Sequence, residues 1–272
     1  AASFAAGAAW AAQTTREGGT DKPGIRGKER TGIDTRAVLK QVEAMCSAHG
    51  EMRDVQGPVA KQMQGMAVQK EEIPLLVAEA SDSSKDWKYR FFVLRKLADA
   101  KDDRIAAMAM TALDDEKKEI RITAAFILGK SGNPASVQPL AKHLDDPDKH
   151  VRIAAAKGLG QLKDRKAVEP LISHFKKEQN FVVKVNLIEG GMGAFQENSI
   201  ADQLVEALAD KHPDVRASAA RSLGAYGNPE VLRALVKALR QDGHPLVRLY
   251  AAQALGAQAK GQDVLKNLSE AE

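Results

Sequence analysis

From residue 86 onward, apolar and polar positions recur with a period of about 32 residues. In each unit a basic residue follows an apolar one, and these basic residues are Arg90, Arg121, Arg152, Lys184, Arg216 and Arg248. Around them, small and apolar residues fall at i, i+3, i+4 and i+7, which is the stripe of a buried helix. The pattern predicts six repeats over residues 86–272.

Each unit is predicted to be a pair of helices. The first helix has the pattern of "VRIAAAKGLGQL", and the second that of "VEPLISHF". Asn133, Asp164 and Asn228 stand where a side chain caps the second helix, and Pro134 and Pro229 suit its first position. One helix pair cannot bury its own apolar faces, but stacked pairs can. The predicted fold is therefore all-α, an α-solenoid.

The segments before the repeats differ in composition. Residues 34–85 are predicted to form a helical N-terminal cap that includes a degenerate repeat from residue 51. Its helices are expected to begin after Asp34, at Pro58, and within "EEIPLLVAEASDSS". Residues 1–33 are predicted to form an extended arm, because residues 12–33 are polar and glycine-rich and bury too little surface to offset their ordering entropy.

The motifs "VRxxAAxxLG" and "NPxxVxxLxxxL" resemble HEAT repeats, in particular the short variety named after phycobilisome lyases. The resemblance covers about residues 86–270 and implies the stacked-helix fold. That family includes bilin lyases, assembly factors and adaptors, so several functions stay open. The leading hypothesis is a non-catalytic interaction scaffold, a structural subunit of a larger, repeating complex. One alternative is a bilin-lyase-like or chaperone-type factor that holds a protein substrate during cofactor attachment. Another is a nucleic-acid binder.

The composition of the chain bears on these three candidate functions. Forty basic residues stand against thirty-six acidic ones, for a net charge of +4, which gives little support to nucleic-acid binding. The single cysteine rules out a disulfide framework within the chain, and no apolar run approaches the ~20 residues of a spanning helix. Ala9-Trp10-Ala11 has the small-x-small pattern of a signal-peptidase site, so residues 1–11 are the remnant of a signal peptide or follow a leader that has been removed, and both interpretations predict export. The alternative is that the sequence starts at an arbitrary boundary and that the protein is cytoplasmic. The expected partners are other protein subunits.

The recurring arginines are the first candidate set. We expect Arg90, Arg121, Arg152, Arg216 and Arg248 to form a structural ladder in which each pairs with a nearby acid or caps carbonyl groups between repeats. Asp86, Asp148 and Asp214 lie just upstream of three of them and are the expected partners. A phosphate-binding stripe is the alternative.

Candidate partner contacts fall into three groups. His143 and His174 occupy equivalent positions on second helices and are expected to be partly exposed, on or beside the concave face. The fourth unit departs from the pattern at Gly190, Gly191 and Gly193, which predicts an early helix end or a kink where contacts concentrate. The arm residues are expected to anchor on a neighbouring subunit, and these are Phe4, Trp10 and Ile25.

No residue is predicted to be catalytic and no cofactor is expected. The sequence contains no HExxH motif, and no nucleophile–base pair stands out. Met45, Cys46, His49 and Met52 carry soft ligand groups close together, as a copper site would need. Methionines also commonly fill cores, so we predict no metal.

Overall fold

The computed structural model describes residues 34–64, 66–100 and 102–259. Within them the chain forms fourteen α-helices and no strand, which confirms the all-α solenoid. The helices are α1 Thr35–Ala48, α2 Met52–Gln64, α3 Ile73–Ser81, α4 Trp87–Leu97, α5 Asp103–Ala112, α6 Lys118–Ser131, α7 Val137–Lys142, α8 Lys149–Leu162, α9 Val168–Lys177, α10 Phe181–Asn186, α11 Asn198–Ala207, α12 Pro213–Ser222, α13 Pro229–Gln241 and α14 Pro245–Ala259. Phe4, Trp10, Ile25 and the rest of the predicted arm lie outside the described residues.

The repeat pattern alternates first helices (α4, α6, α8, α10, α12 and α14) with second helices (α5, α7, α9, α11 and α13). The predicted caps stand at the turns between them. The side-chain oxygen of Asn133 accepts a hydrogen bond from the Ala135 N–H at 2.9 Å, and that of Asn228 accepts one from the Val231 N–H at 2.9 Å. Asp164 starts the third turn in the same way. These caps satisfy N–H groups that the helix itself cannot pair.

A continuous apolar core runs through the stack between the two rows of helices. The leucines that close the repeated motif, Leu128, Leu159 and Leu223, have no exposed surface. They are buried because each first helix is covered on one side by its own second helix and on the other by the next repeat. The repeat positions predicted from the sequence therefore match the residues that are buried in the core.

First helices of neighbouring repeats approach each other more closely than second helices do. Glycines permit this approach: a Cβ atom on Gly129 would lie 2.6 Å from the Cα of Gly158, and one on Gly160 would overlap the carbonyl oxygen of Gly190. The first helices therefore form the more closely packed of the two rows.

The N-terminal cap differs from its sequence prediction at Pro58. The helix was expected to begin there, but α2 begins at Met52 and Pro58 lies inside it. Proline lacks the N–H that would bond to the carbonyl four residues earlier. Val55, Val59 and Met63 nevertheless lie on one face and are buried. Apolar packing of that face thus outweighs the lost backbone hydrogen bond.

The fourth repeat has the predicted irregularity. Helix α10 ends at Asn186, a π-helical turn follows over Leu187–Gly191, and a 3₁₀ turn follows over Met192–Ala194. A π-helical turn holds more residues per turn than an α-helix, so the regular first helix of this unit is interrupted there. The glycines at its end allow the backbone to pack directly against the third repeat.

Candidate protein-interaction surfaces

The recurring arginines join consecutive repeats through carboxylates. Arg121 donates from Nε and Nη2 to the two oxygens of Asp146, at 2.8 and 2.9 Å. Its Nη1 donates to the carbonyl oxygens of Asp115 and Glu116, at 2.9 and 3.1 Å. The Arg121 guanidinium thus joins two turns, the one before its own helix α6 and the one after α7, the second helix of its repeat. It does so in the planar, two-pronged geometry of arginine.

The same arrangement recurs along the stack, with the acid 25 or 26 residues after the basic residue. We call these pairs the ladder, and its rungs are Arg90–Asp115, Arg121–Asp146, Arg152–Glu178, Lys184–Asp210 and Arg216–Asp242. Each carboxylate also accepts a backbone N–H two residues on, at Lys117, Asp148, Asn180, His212 and His244. The carboxylate of every rung therefore binds both a basic side chain and a backbone N–H group.

The ladder acids are not the ones expected from the sequence. Asp86 and Asp148 cap the N-termini of α4 and α8 instead, and Asp214 lies beside His212. A signal for the true partners was present, because an acid stands six residues before each basic position from the second repeat onward. The guanidinium groups from Arg90 to Arg216 face carboxylates and carbonyls, so they do not form a free stripe for phosphates.

His143 and His174 are buried, with 7% and 5% of their surfaces exposed, which corrects the expected partial exposure. The Nδ1 atom of His143 lies 2.9 Å from the carbonyl oxygen of Pro139. The ring of His174 lies between two carboxylates, 2.9 Å from Asp145 and 3.1 Å from Glu178. His143 is therefore held within its own repeat and His174 between two repeats, and the two rings do not share an exposed surface.

Two of the three singled-out glycines face the third repeat. A Cβ on Gly190 would lie 2.6 Å from Cγ of Lys157, and one on Gly191 would lie 2.8 Å from Cδ2 of Leu171. Gly193 is exposed. Close packing accounts for the first two, and the structure gives Gly193 a position where a partner has access.

A stripe of side chains that face solvent runs along the first helices. It consists of the residue five positions after each basic residue, and we call it the first-helix surface. Its members are the half-buried Arg95 and the exposed Phe126, Lys157, Glu189, Arg221 and Gln253. Phe126 is 43% exposed, which is uncommon for an aromatic side chain of a folded chain.

Cations lie close to aromatic rings on or beside this surface. Lys130 Nζ is 5.1 Å from the centre of the Phe126 ring, and the Arg221 guanidinium is 5.6 Å from that of Tyr250. Such contacts hold rings in place while leaving one face in solvent. Aromatic and arginine side chains are the types that contribute most to protein–protein binding.

A second exposed aromatic lies where α10 begins. Phe181 is 39% exposed and its ring stacks on the His212 ring, with centres 3.6 Å apart. Val182 beside it is 37% exposed. Together they form a small apolar patch at the edge of the stack, next to the ladder turn at Asp210.

The soft ligand groups near the N-terminus differ in their exposure. Cys46 is buried, and burial raises the pKa of its thiol to about 11. His49 is exposed, and its Nδ1 lies 3.0 Å from the carbonyl oxygen of Met45. Among residues 34–64, 66–100 and 102–259, no three histidine, cysteine or acidic side chains group as metal ligands would. In the same part of the chain, no helix has the length and apolarity to cross a membrane.

Stacked helix pairs that each contact only the neighbouring repeats define the class of the α-solenoid repeat proteins. A family model described as HEAT repeats matches residues 73–149, 109–190 and 191–271. The chain therefore belongs to the HEAT-repeat family, and HEAT repeats indicate a protein-interaction scaffold. The comparison with curated protein sequences gave no match.

Solved structures agree with the fold. The complex of CpcE and CpcF of phycocyanin lyase from Nostoc is 26% identical, covers 68% of this chain and 76% of that chain, and has a TM-score of 0.50. YibA of Escherichia coli is 20% identical over 88% of this chain and 90% of that chain, with a TM-score of 0.58. The second likeness concerns the fold alone.

Proposed function

We propose that the protein is a non-catalytic scaffold that holds a protein partner along its first-helix surface. The observation that carries the proposal is the exposed Phe126 on the first helix α6, whose ring centre lies 5.1 Å from Lys130 Nζ. A row of stacked helices offers a long, continuous surface to a partner. Lys157, on the next repeat, forms no ion pair with any described residue, so its charge is available to a partner.

The test compares the proteins that co-purify with tagged variants. The double variant Phe126→Ser, Lys157→Glu should lose a stoichiometric partner that the unmodified chain retains. Its melting temperature should change little, because both side chains are exposed. Lys237→Glu, an exposed lysine on the second helix α13, is the matched control and should retain the partner. Retention by the double variant would contradict the proposal.

Within this scaffold role we propose a structural subunit of a larger assembly, attached through residues 1–33. Support comes from the sequence, where Phe4, Trp10 and Ile25 are among the few large apolar residues of an otherwise polar and small-residue segment. Deleting residues 1–33 should abolish assembly, as measured by sedimentation velocity, and leave helical content intact. Assembly with unchanged affinity by the shortened chain would exclude this role.

A second candidate function rests on one comparison. Similarity to the phycocyanin lyase complex, at 26% identity, favours a factor that holds a protein during bilin attachment. Such a factor should bind an open-chain tetrapyrrole, which is visible as a change in its absorbance spectrum on titration. A non-catalytic scaffold should leave that spectrum unchanged.

A further inference from the structure

The first-helix surface is cationic and aromatic over the first three repeats. Its residues there are Arg95, Phe126 and Lys157, and Lys130 lies beside the Phe126 ring. Asp99, which forms an ion pair with Lys130, is the acidic side chain beside them. The exposed charge of this part of the surface is therefore mainly positive.

Over the following repeats the charges of the same surface balance. Glu189 pairs with Arg221 and also accepts a hydrogen bond from the Ser218 hydroxyl, at 2.8 Å. The Arg221 guanidinium lies 5.6 Å from the centre of the Tyr250 ring, and Gln253 is uncharged. Complementary charge draws a partner to one part of a surface and sets its register there. An acidic partner is therefore drawn to the first three repeats rather than to the last three.

An apolar patch lies between the cations of the first repeats. Ile122 stands one helical turn before Phe126 on α6 and is half-buried, as is Phe91 on α4. The Arg95 guanidinium lies 5.6 Å from the centre of the Phe91 ring, and burial lowers the pKa of Arg95. A cation that has lost part of its hydration gains more from a nearby carboxylate than one in open water. The patch therefore suits an apolar side chain that is flanked by carboxylates.

The spacing of the repeats sets the spacing of these groups in a partner. Packed helices lie about 8–10 Å apart, and an extended chain rises about 3.3 Å per residue. About three residues of an extended partner therefore span one repeat. When an apolar residue of the partner lies on Phe126, the third residue to one side reaches Lys157 and the third residue to the other side reaches Arg95.

We propose that the first-helix surface binds an extended acidic segment of a protein, whose apolar residue packs on Phe126 and whose flanking carboxylates pair with Lys157 and Arg95. The inference rests on the proposed function and names the chemistry of its partner. Nucleic acid also binds cations and aromatic rings. Asp99 lies beside the surface and Glu189 lies on it, and both repel the evenly spaced phosphates of a strand. A segment with two separate carboxylates avoids both acids.

The probe is a phage-displayed library of random peptides of about twelve residues, which span about four repeats when extended. Phage that bind the double variant Phe126→Ser, Lys157→Glu are removed, and the remainder are selected on the full chain. Many peptide copies per phage retain weak binders through avidity. We expect enriched sequences with an apolar residue and an acidic residue three positions away on each side. Enrichment of basic or neutral peptides, or no enrichment over phage without an insert, would overturn the proposal.

Selected peptides are then synthesised and titrated onto the full chain by NMR, which detects weak binding. Lys157→Glu should weaken binding about tenfold, because attraction is replaced by repulsion, and Phe126→Ser should weaken it at least as much. Lys237→Glu makes the same charge change on α13 and should have no effect. Glutamine in place of either peptide acid should weaken binding about threefold, and added salt should weaken it further. Equal affinity for the Lys157→Glu chain and the unmodified chain would contradict the assignment.

The outcomes separate this inference from the proposed function. If the double variant loses its co-purifying partner but the library yields no acidic peptides, the scaffold role stands and the acidic segment is wrong. If the double variant retains that partner while acidic peptides are selected, the surface binds acidic segments and the co-purifying protein is held elsewhere. Single-stranded oligothymidylate is the nucleic-acid probe. If it binds more tightly than the selected peptides and the same substitutions abolish its binding, the surface belongs to nucleic acid and the proposal is overturned.

Discussion

Breaking one rung of the ladder is the most direct test of how the repeats are held together. Arg121→Ala removes the guanidinium from Asp146, whose side chain is only 5% exposed. The carboxylate keeps its backbone N–H bond to Asp148 but loses the charge that offsets its burial. Removing one partner of a buried pair costs about 3–5 kcal/mol. Arg121 is itself 13% exposed and water enters when it is truncated, so we expect a loss at the lower end, about 3 kcal/mol.

Arg248→Ala is the matched control for this cost. It removes the same two carbonyl hydrogen bonds but no described ion pair, so the expected loss is about 1 kcal/mol. Urea unfolding followed by circular dichroism measures both losses, with helical content at zero urea as the folding check. Asp146→Ala should cost less in the Arg121→Ala background than in the unmodified chain, because the charge it removes is then unpaired. Equal losses for the two arginines, or strict additivity in the cycle, would refute the reasoning.

Three further predictions concern packing and pH. Leu159→Ala should lower the free energy of unfolding by about 2–5 kcal/mol, because the side chain is fully buried; a loss well below this range in urea unfolding would contradict the repeat register. Gly160→Ala should cost about 1–3 kcal/mol, because its methyl group would overlap the Gly190 carbonyl; a neutral effect on the melting temperature would show that the two repeats separate freely. Hydrogen bonds from Arg216 hold the pKa of Asp242 below its usual 3.8, so the contribution of Asp242 to stability is present above pH 3.8 and is lost as the pH falls through the lowered pKa. In urea unfolding between pH 6 and 2, the free energy of unfolding should therefore fall less steeply with acid for Asp242→Asn than for the unmodified chain. The same dependence on pH in both proteins would contradict the assignment.

The candidate surface was not found from the sequence, because a helix pattern does not show which apolar residues remain uncovered. Phe126 stands in the run "AAFILG", where a helix pattern alone gives it the same apolar character as the buried Ile127 and Leu128. Only the tertiary structure shows that the Phe126 side chain is 43% exposed while Ile127 and Leu128 are buried. His143 and His174 were misplaced for the same reason, since periodicity gives a face of a helix but not what covers it.

The sequence by itself determined the helix pairs, their caps and the buried leucines, because these depend on local spacing and on turn chemistry within a single repeat. The ladder was only half visible, since its basic residues recur beside an apolar partner while its acids lie 25 or 26 residues away. Tertiary structure decided which acid meets which arginine, which helix row packs more closely, and which apolar residues remain uncovered. Those outcomes depend on distances between repeats, and a one-dimensional pattern carries no distance between residues that are remote in the chain.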